Sequence, residues 1–170
     1  QNGVIQDIGP GLAKKSKTVI DAKNLTVLPG AIDSQVHFRE PGLTHKEDLY
    51  TGSMSAIAGG ITSFFEMPNT KPNTSTPEKL QEKLNLAASK AKCDFAFFMG
   101  ATAENTPHIA ELEKLPGCSG IKIFMGSSTG DLLVSDDETL EKIFKNGSRR
   151  IAVHCEDEFI LRDRKPIADQ

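Results

Sequence analysis

The stretch Ile32–Gly42, IDSQVHFREPG, places a polar side chain at every second position of an otherwise largely apolar run. Side chains on a strand point alternately to the two faces of the sheet. One face would therefore carry Ile32, Ser34, Val36 and Phe38, and the other Asp33, Gln35, His37 and Arg39. This alternation predicts a strand with one apolar face and one polar face.

Working outward from this stretch, strand-like segments return about every 30 residues, which is the size of a βα unit. The predicted strands are 32–38, 61–67, 94–99, 120–125 and 150–155. Helix signals lie between them: capping residues are predicted at Thr44, Thr76, Thr106 and Ser135, and stops at Gly59-Gly60 and Gly147. Because strand and helix alternate, the sheet is predicted to be parallel.

Five strands and four intervening helices fit either a small open α/β sheet or the first half of an eight-stranded barrel. Residues after His154 are predicted to form a loop and a helix and supply no further strand. A complete (β/α)8 barrel needs about 250 residues. We therefore expect residues 30–170 to be the first five strands of such a barrel, within a longer protein. Residues 1–29, with the short β-like segments VIQDIG, KTVIDA and LTVLPG, indicate part of a small β domain.

Composition narrows the function. The chain has 170 residues, of which 38% are hydrophobic, and a net charge of -3, so it has a core but no basic surface for nucleic acid or an anionic membrane. No segment resembles a membrane span or a signal peptide, and a cytoplasmic location is the default expectation. Three widely spaced cysteines argue against a disulfide framework, and we expect them to be buried.

Three strands direct chemically informative side chains to the same side. In GIKIF (120–124), Ile121 and Ile123 would face the helices and Lys122 the interior. In the strand at 150–155, His154 likewise faces inward, as His37 does in the first strand. A buried lysine is costly unless it is paired, neutral or chemically changed, and imidazoles are common zinc ligands. Hydrogen-bonded core histidines and a lysine that reaches the barrel mouth remain alternative interpretations.

The motifs PGAID, VHFREPGLTHKEDL, AGGIT, EMPNT, GIKIFMGSSTG and AVHCED follow one another as in the dihydroorotases, which the chain resembles over nearly its whole length. This resemblance to a cyclic amidohydrolase family implies a TIM barrel, with residues 1–29 as part of a small β-sandwich domain. It also implies one or two zinc ions. Coordination to such an ion lowers the pKa of water toward neutrality and so supplies a hydroxide that can attack the ring carbonyl. The implied reaction is reversible hydrolysis of dihydroorotate to N-carbamoyl-aspartate in de novo pyrimidine biosynthesis.

The resemblance also assigns roles to individual residues. His37 is similar to the second histidine of the family's His-x-His metal pair, and His154 to its next metal histidine. Lys122 matches the lysine that is carboxylated in many members and bridges two metals. Arg39 and Asn69 match the residues that bind the substrate's carboxylate, a task that suits a forked guanidinium. The aspartate base is expected beyond residue 170.

Gln35 departs from the family pattern because it stands where the first histidine of the pair is found. An amide oxygen is a weaker zinc ligand than imidazole, so the binuclear site is in question. Two alternatives follow. One is an allantoinase or hydantoinase, although allantoinases resemble this chain less at Arg39, where they carry asparagine, and at Asn69. The other is a non-catalytic scaffold for a partner transcarbamoylase. A small-molecule substrate, no nucleic acid and no membrane are expected, and a homo-oligomer stays open.

Overall fold

The computed structural model of the chain describes residues 3–12, 16–128 and 130–169. At its centre lies one sheet of five parallel strands, in the order β1-β2-β3-β4-β5. The strands are β1 Ala31–Val36, β2 Ile61–Glu66, β3 Asp94–Gly100, β4 Cys118–Phe124 and β5 Ile151–His154. Each strand pairs with the next one along the chain, which gives the half-barrel that the sequence predicts.

A helix follows every strand of the sheet. The helices are α1 Leu49–Ala58, α2 Pro77–Lys90, α3 Ile109–Leu112, α4 Asp137–Asn146 and α5 Glu158–Ala168, with short 3-10 turns at Thr106–His108 and Gly130–Leu132. The predicted alternation of strand and helix is therefore confirmed. In the part of the chain that the structure describes, no helix has the length and apolar character needed to cross a membrane.

Some helix ends are those that the sequence predicts. The Thr76 hydroxyl accepts a hydrogen bond from the Lys79 amide at 3.4 Å, and Pro77 occupies the first helical position, where its missing N–H costs nothing. Gly59 and Gly147 end α1 and α4 as predicted.

Three predicted capping residues are wrong. Helix α1 is capped by Asp48 rather than Thr44, because residues 43–46 form a turn and the Asp48 carboxylate accepts from the Thr51 amide at 2.7 Å. Helix α4 is capped by Asp136, one residue after Ser135. Thr106 caps no helix, because its hydroxyl donates to the carbonyl oxygen of Thr102 at 2.7 Å.

The core lies between the sheet and the helices. Phe64, Phe97, Ile121 and Ile123 are fully buried on the strand face that meets the helices, where Leu49, Ala87 and Ile143 pack from α1, α2 and α4. The Phe64 and Phe97 rings meet edge to face with centroids 6.5 Å apart. Because Ile121 and Ile123 face the helices, Lys122 between them faces the opposite side, as predicted.

Strand β1 differs from its prediction. It ends at Val36, not Phe38, and its pairing with β2 is irregular between Asp33 and Val36. His37 and Arg39 therefore lie in the β1–α1 loop, where strict alternation no longer applies. Arg39 has φ +66°, a left-handed backbone conformation that non-glycine residues rarely adopt.

The amino-terminal segment has no strand within residues 3–12 and 16–30. Its apolar side chains are exposed, as Ile8 and Ile20 illustrate. A β segment becomes a strand only when its backbone pairs with another strand, and none of the strand pairs of the sheet includes a described residue of this segment. Part of the predicted domain at 1–29, residues 1, 2 and 13–15, lies outside the described residues. The domain division into 1–29 and 30–170 stays a prediction.

The three cysteines are unpaired, in keeping with the absence of a disulfide framework. Cys118 is buried and Cys93 half-buried, but Cys155 is exposed. The prediction that all three are buried is therefore wrong for Cys155, which follows the last residue of β5 and has left the sheet.

Candidate active site

His37 stands directly after β1 and is half-buried. Its Nδ1 atom lies 2.9 Å from Oδ1 of Asn69, which comes three residues after the end of β2. Burial lowers the pKa of His37, and the nearby positive charge of Arg39 lowers it further, which favours the neutral imidazole. With Nδ1–H donating to the Asn69 oxygen, Nε2 keeps its lone pair for a ligand.

Arg39 contacts the backbone of the same asparagine. Its Nη1 atom donates to the Asn69 backbone oxygen at 3.4 Å. Both residues line a cavity of about 520 Å³. The charged and aromatic side chains around this cavity are Arg39, Lys46, Lys71, Asp131 and Phe124. Three cations against one carboxylate make the cavity electropositive, which suits an anionic ligand.

Lys122 enters the site from β4 and is only 2% exposed. Its Nζ atom lies 4.9 Å from the centroid of the Phe124 ring. Burial lowers the pKa of Lys122, against the opposing influence of Cys155 and Glu156. A lowered pKa increases the share of neutral amine, which is the form that reacts with carbon dioxide.

His154 ends β5 and stacks on Phe124, the same ring that Lys122 contacts, with the two ring centroids 5.9 Å apart. Its Nε2 atom is 2.5 Å from Oε1 of Glu156. A metal-binding histidine usually donates its second ring N–H to a carboxylate or carbonyl, which fixes the tautomer. With Nε2–H held by Glu156, Nδ1 keeps the free lone pair.

These placements fit a metal site in the chemistry of their donors. Both imidazoles hold one ring nitrogen against an oxygen acceptor and leave the other free, and a carboxylated Lys122 would add an anionic oxygen. The described residues contain no group of three or more His, Cys, Asp or Glu side chains arranged to hold an ion. Gln35 is exposed on β1, and its backbone N–H donates to Asp33 Oδ1 at 3.1 Å. The metal roles of His37, Lys122, His154 and Gln35 therefore stay predictions.

Sequence reasoning missed a buried ion pair beside this site. Lys83 Nζ lies 3.0 Å from Glu66 Oε2, and both side chains are at most 1% exposed. The signal was present in both elements. Glu66 shares its strand face with buried Phe64, and Lys83 lies on the buried face of α2, four residues before Ala87. A charge on the apolar face of each of two neighbouring elements indicates a pair.

Comparison with known proteins adds a family and several relatives. The model of the "Amidohydrolase family" matches residues 26–160. A dihydroorotase of Methanosarcina acetivorans is 41% identical over 162 residues, which is 93% of this chain and 34% of that protein. An allantoinase of Bacillus velezensis is 37% identical over 95% of this chain and 37% of its own length. This chain thus spans about a third of the length of these relatives.

Solved structures agree with the half-barrel. The L-hydantoinase (dihydropyrimidinase) of Arthrobacter aurescens superposes with a TM-score of 0.74 and 33% sequence identity, covering 83% of this chain and 32% of that one. A D-hydantoinase (dihydropyrimidinase) from Thermus sp. superposes with a TM-score of 0.67 and 25% identity. The fold is therefore shared with these cyclic amidohydrolases.

Proposed function

Because this chain belongs to the amidohydrolase family, we propose that the complete protein hydrolyses a cyclic amide that carries a carboxylate. The proposed substrate is dihydroorotate, opened reversibly to N-carbamoyl-aspartate as a step of pyrimidine biosynthesis in the cytoplasm. The observation that carries this proposal is Arg39, which lines an electropositive cavity beside Asn69. A neutral cyclic amide has no group that would need this guanidinium.

The substrate's carboxylate would be bound by two donors of different kinds. Arg39 offers a planar fork of N–H groups that matches a carboxylate. The Oδ1 atom of Asn69 accepts a hydrogen bond from His37, so the Nδ2 group of Asn69 stays available to donate to the substrate. Exposed Lys46 and Lys71 at the cavity would attract the anion at longer range.

We propose that His37, His154 and a carboxylated Lys122 hold one or two zinc ions, with Gln35 as a weaker ligand at most. The bound ion would polarise the ring carbonyl and lower the pKa of water. Asn69 and Glu156 would fix the tautomers of His37 and His154, so that each presents a lone pair. The general base is proposed to be an aspartate beyond residue 170.

Two other functions each have an observation in their favour. Relatives named allantoinase and hydantoinase favour a neutral cyclic amide as substrate, whereas Arg39 argues against it. Gln35, in place of a histidine ligand, favours a scaffold that does not catalyse. The buried Lys122 argues against a scaffold, because an inward amine has no structural need to persist there.

The test is to assay the purified complete protein on dihydroorotate, allantoin and hydantoin and to measure its zinc content. We expect dihydroorotate to be turned over with the highest kcat/KM, by protein that contains at least about one zinc per chain. Turnover of allantoin or hydantoin alone would contradict the proposed substrate. Absence of zinc, with no activity after zinc is added, would favour the scaffold.

A further inference from the structure

The buried Glu66–Lys83 pair makes a contact that reaches the proposed substrate-binding loop. Glu66 Oε2 faces Lys83 at 3.0 Å, while its other oxygen, Oε1, accepts a hydrogen bond from the backbone N–H of Arg39 at 2.9 Å. Glu66 lies at the end of β2, and Arg39 lies in the loop after β1. One buried carboxylate thus joins helix α2 to the β1–α1 loop.

The backbone at Arg39 needs such support. Its φ of +66° lies in the left-handed region, which costs energy for any residue with a Cβ atom and persists where the surroundings fix it. The Glu66 carboxylate holds the N–H of this very residue. Because φ and ψ set the direction of the Cα–Cβ bond, the same hydrogen bond governs the direction in which the Arg39 side chain leaves the backbone.

Lys83 extends the same network to the second loop. Its Nζ atom donates to the carbonyl oxygen of Met67 at 3.3 Å and to the Thr74 hydroxyl at 3.4 Å. Met67 precedes Asn69 and Thr74 follows it, so one ammonium anchors both sides of the loop that carries Asn69. Lys83 Nζ also lies 5.0 Å from the centroid of the Phe97 ring, in a site without exposure to water.

We propose that the Glu66–Lys83 pair is a positioning device that fixes the left-handed backbone of Arg39 and thereby aims its guanidinium at the substrate's carboxylate. This inference rests on the proposed function for the role of Arg39. Neither Glu66 nor Lys83 touches the substrate. Their effect is on the affinity for carboxylate-bearing substrates, not on the chemical step.

A merely structural role predicts something different. A buried ion pair that only attaches α2 to the sheet would lower stability when removed and leave substrate preference unchanged. Removing Lys83 alone would also leave Glu66 charged and unpaired in the core, which is strongly destabilising. The decisive variants therefore change both residues together and differ only in the acceptor that faces Arg39.

Two double variants of the complete protein provide this comparison. Glu66→Gln with Lys83→Met removes both charges but keeps a side-chain oxygen that accepts from the Arg39 amide. Glu66→Leu with Lys83→Met removes the charges and the acceptor. Glu113→Leu is the matched control, since Glu113 is another buried carboxylate that accepts backbone N–H groups, at Ser148 and Arg149, outside the cavity lined by Arg39.

For the Leu/Met variant we expect a KM for dihydroorotate at least about tenfold above that of the Gln/Met variant, with kcat and the KM for hydantoin changed less than about threefold. A crystal structure of the Leu/Met variant is expected to show Arg39 outside the left-handed region, or its guanidinium away from Asn69. Glu113→Leu should lower the melting temperature and leave the ratio of the KM for dihydroorotate to the KM for hydantoin unchanged, because its contacts lie away from Arg39.

Equal KM values in the two double variants would overturn the inference, as would an unmoved Arg39 in the Leu/Met structure. If the Leu/Met protein does not fold, Glu66→Asp takes its place, because the shorter side chain keeps the charge for Lys83 and withdraws the acceptor from Arg39. If the Glu66→Asp protein then has the same KM for dihydroorotate as the parent, the inference is overturned. If the parent does not turn over dihydroorotate, the proposed function fails, and the conformation of Arg39 in the variant structures decides the inference.

Discussion

Arg39 is the residue whose side chain would distinguish dihydroorotate from a neutral cyclic amide. It contributes two separable things to the cavity: a left-handed backbone that shapes the loop, and a guanidinium that donates to Asn69. The first is shared by any residue that tolerates this conformation, and the second is specific to arginine. Substitutions at this position therefore test recognition more directly than substitutions elsewhere in the cavity.

Replacing Arg39 by methionine would remove the proposed charge-assisted hydrogen bonds to the substrate's carboxylate. Such bonds contribute about 1.5–3 kcal/mol, so we expect the KM for dihydroorotate to rise by roughly 10- to 150-fold. Hydantoin turnover should change little. Steady-state kinetics on both substrates measure this, with Arg162→Met on exposed α5 as the control. An unchanged KM for dihydroorotate would show that the carboxylate binds elsewhere.

Lys122 is the residue on which metal retention should depend. Lys122→Met removes the amine that would be carboxylated while keeping much of the buried apolar volume. We expect the zinc content of the complete protein to fall and turnover to drop by at least about 100-fold. Elemental analysis and kinetics measure both effects, with Lys142→Met on the surface of α4 as the control. Full zinc content in the Lys122→Met protein would contradict the proposed ligand set.

Side-chain alternation accounts for what the sequence could and could not predict about single residues. It places Lys122 and His154 correctly because β4 and β5 are regular at these positions. It does not extend to Arg39, because β1 ends at Val36, a positive φ follows, and the Arg39 backbone N–H donates to Glu66, 27 residues away in sequence. A local pattern contains no information about a contact at that separation.

Among the elements, the short helix α3 anchors the loop between α4 and β5. Glu113, at its carboxyl end, is fully buried and accepts hydrogen bonds from the backbone of Ser148 and Arg149 in the loop between α4 and β5. The Arg149 guanidinium also donates to the Glu113 carbonyl oxygen. This carboxylate fixes the entry to β5, the strand that carries His154.

Glu113→Gln is expected to lower the free energy of unfolding by about 1–3 kcal/mol, because an amide accepts fewer and weaker hydrogen bonds than the carboxylate. The Ser148 and Arg149 amides should also exchange with solvent faster. Denaturant unfolding and hydrogen exchange measure these effects. Unchanged protection of both amides would contradict the assigned role of Glu113.

The same contact predicts a pH dependence. Burial tends to raise the pKa of Glu113, but hydrogen bonds from Ser148 and Arg149 outweigh it and hold the pKa below its ordinary value of 4.5. A lowered folded-state pKa stabilises the fold above the unfolded-state pKa, and this stability is lost as the pH falls through the folded-state value. We expect the difference in unfolding free energy between parent and Glu113→Gln to shrink below about pH 4.5. Unfolding curves from pH 7 to pH 3 test this, and a constant difference would contradict it.

Helix existence was easier to predict than helix capping. Capping and stop residues predict α1 and α4, but each helix begins after an aspartate that lies beyond the predicted capping residue. Asp, Ser and Thr all cap well, and only the local turn selects one of them. The Thr106 segment became a 3-10 turn because its hydroxyl is used within the loop.

For the whole molecule, the predicted sheet order follows from the repeat of strand and helix, since consecutive βα units place each parallel strand beside the previous one. The structure of the amino-terminal segment was harder to predict, because a β-like sequence forms a strand only when it can pair with another strand. Within the described residues, β1 and β5 each pair with a single strand, and α5 exposes Phe159 and Ile160.

An open half-barrel also predicts how residues 1–170 behave when expressed alone. The segment spans about a third of the length of the relatives it matches, so we expect it to have no measurable turnover of dihydroorotate under conditions in which the complete protein is active. Parallel assays of the two proteins measure this. Turnover by the segment would show that five strands are sufficient for the reaction.

The left-handed backbone at position 39 has an evolutionary consequence. Asparagine is among the few residues with a Cβ atom that adopt this conformation readily. An exchange of arginine and asparagine at this position would leave the course of the loop intact while replacing a cation by a neutral amide. With the proposed role of Arg39, we expect such an exchange to shift substrate preference between charged and uncharged rings without rebuilding the surrounding scaffold.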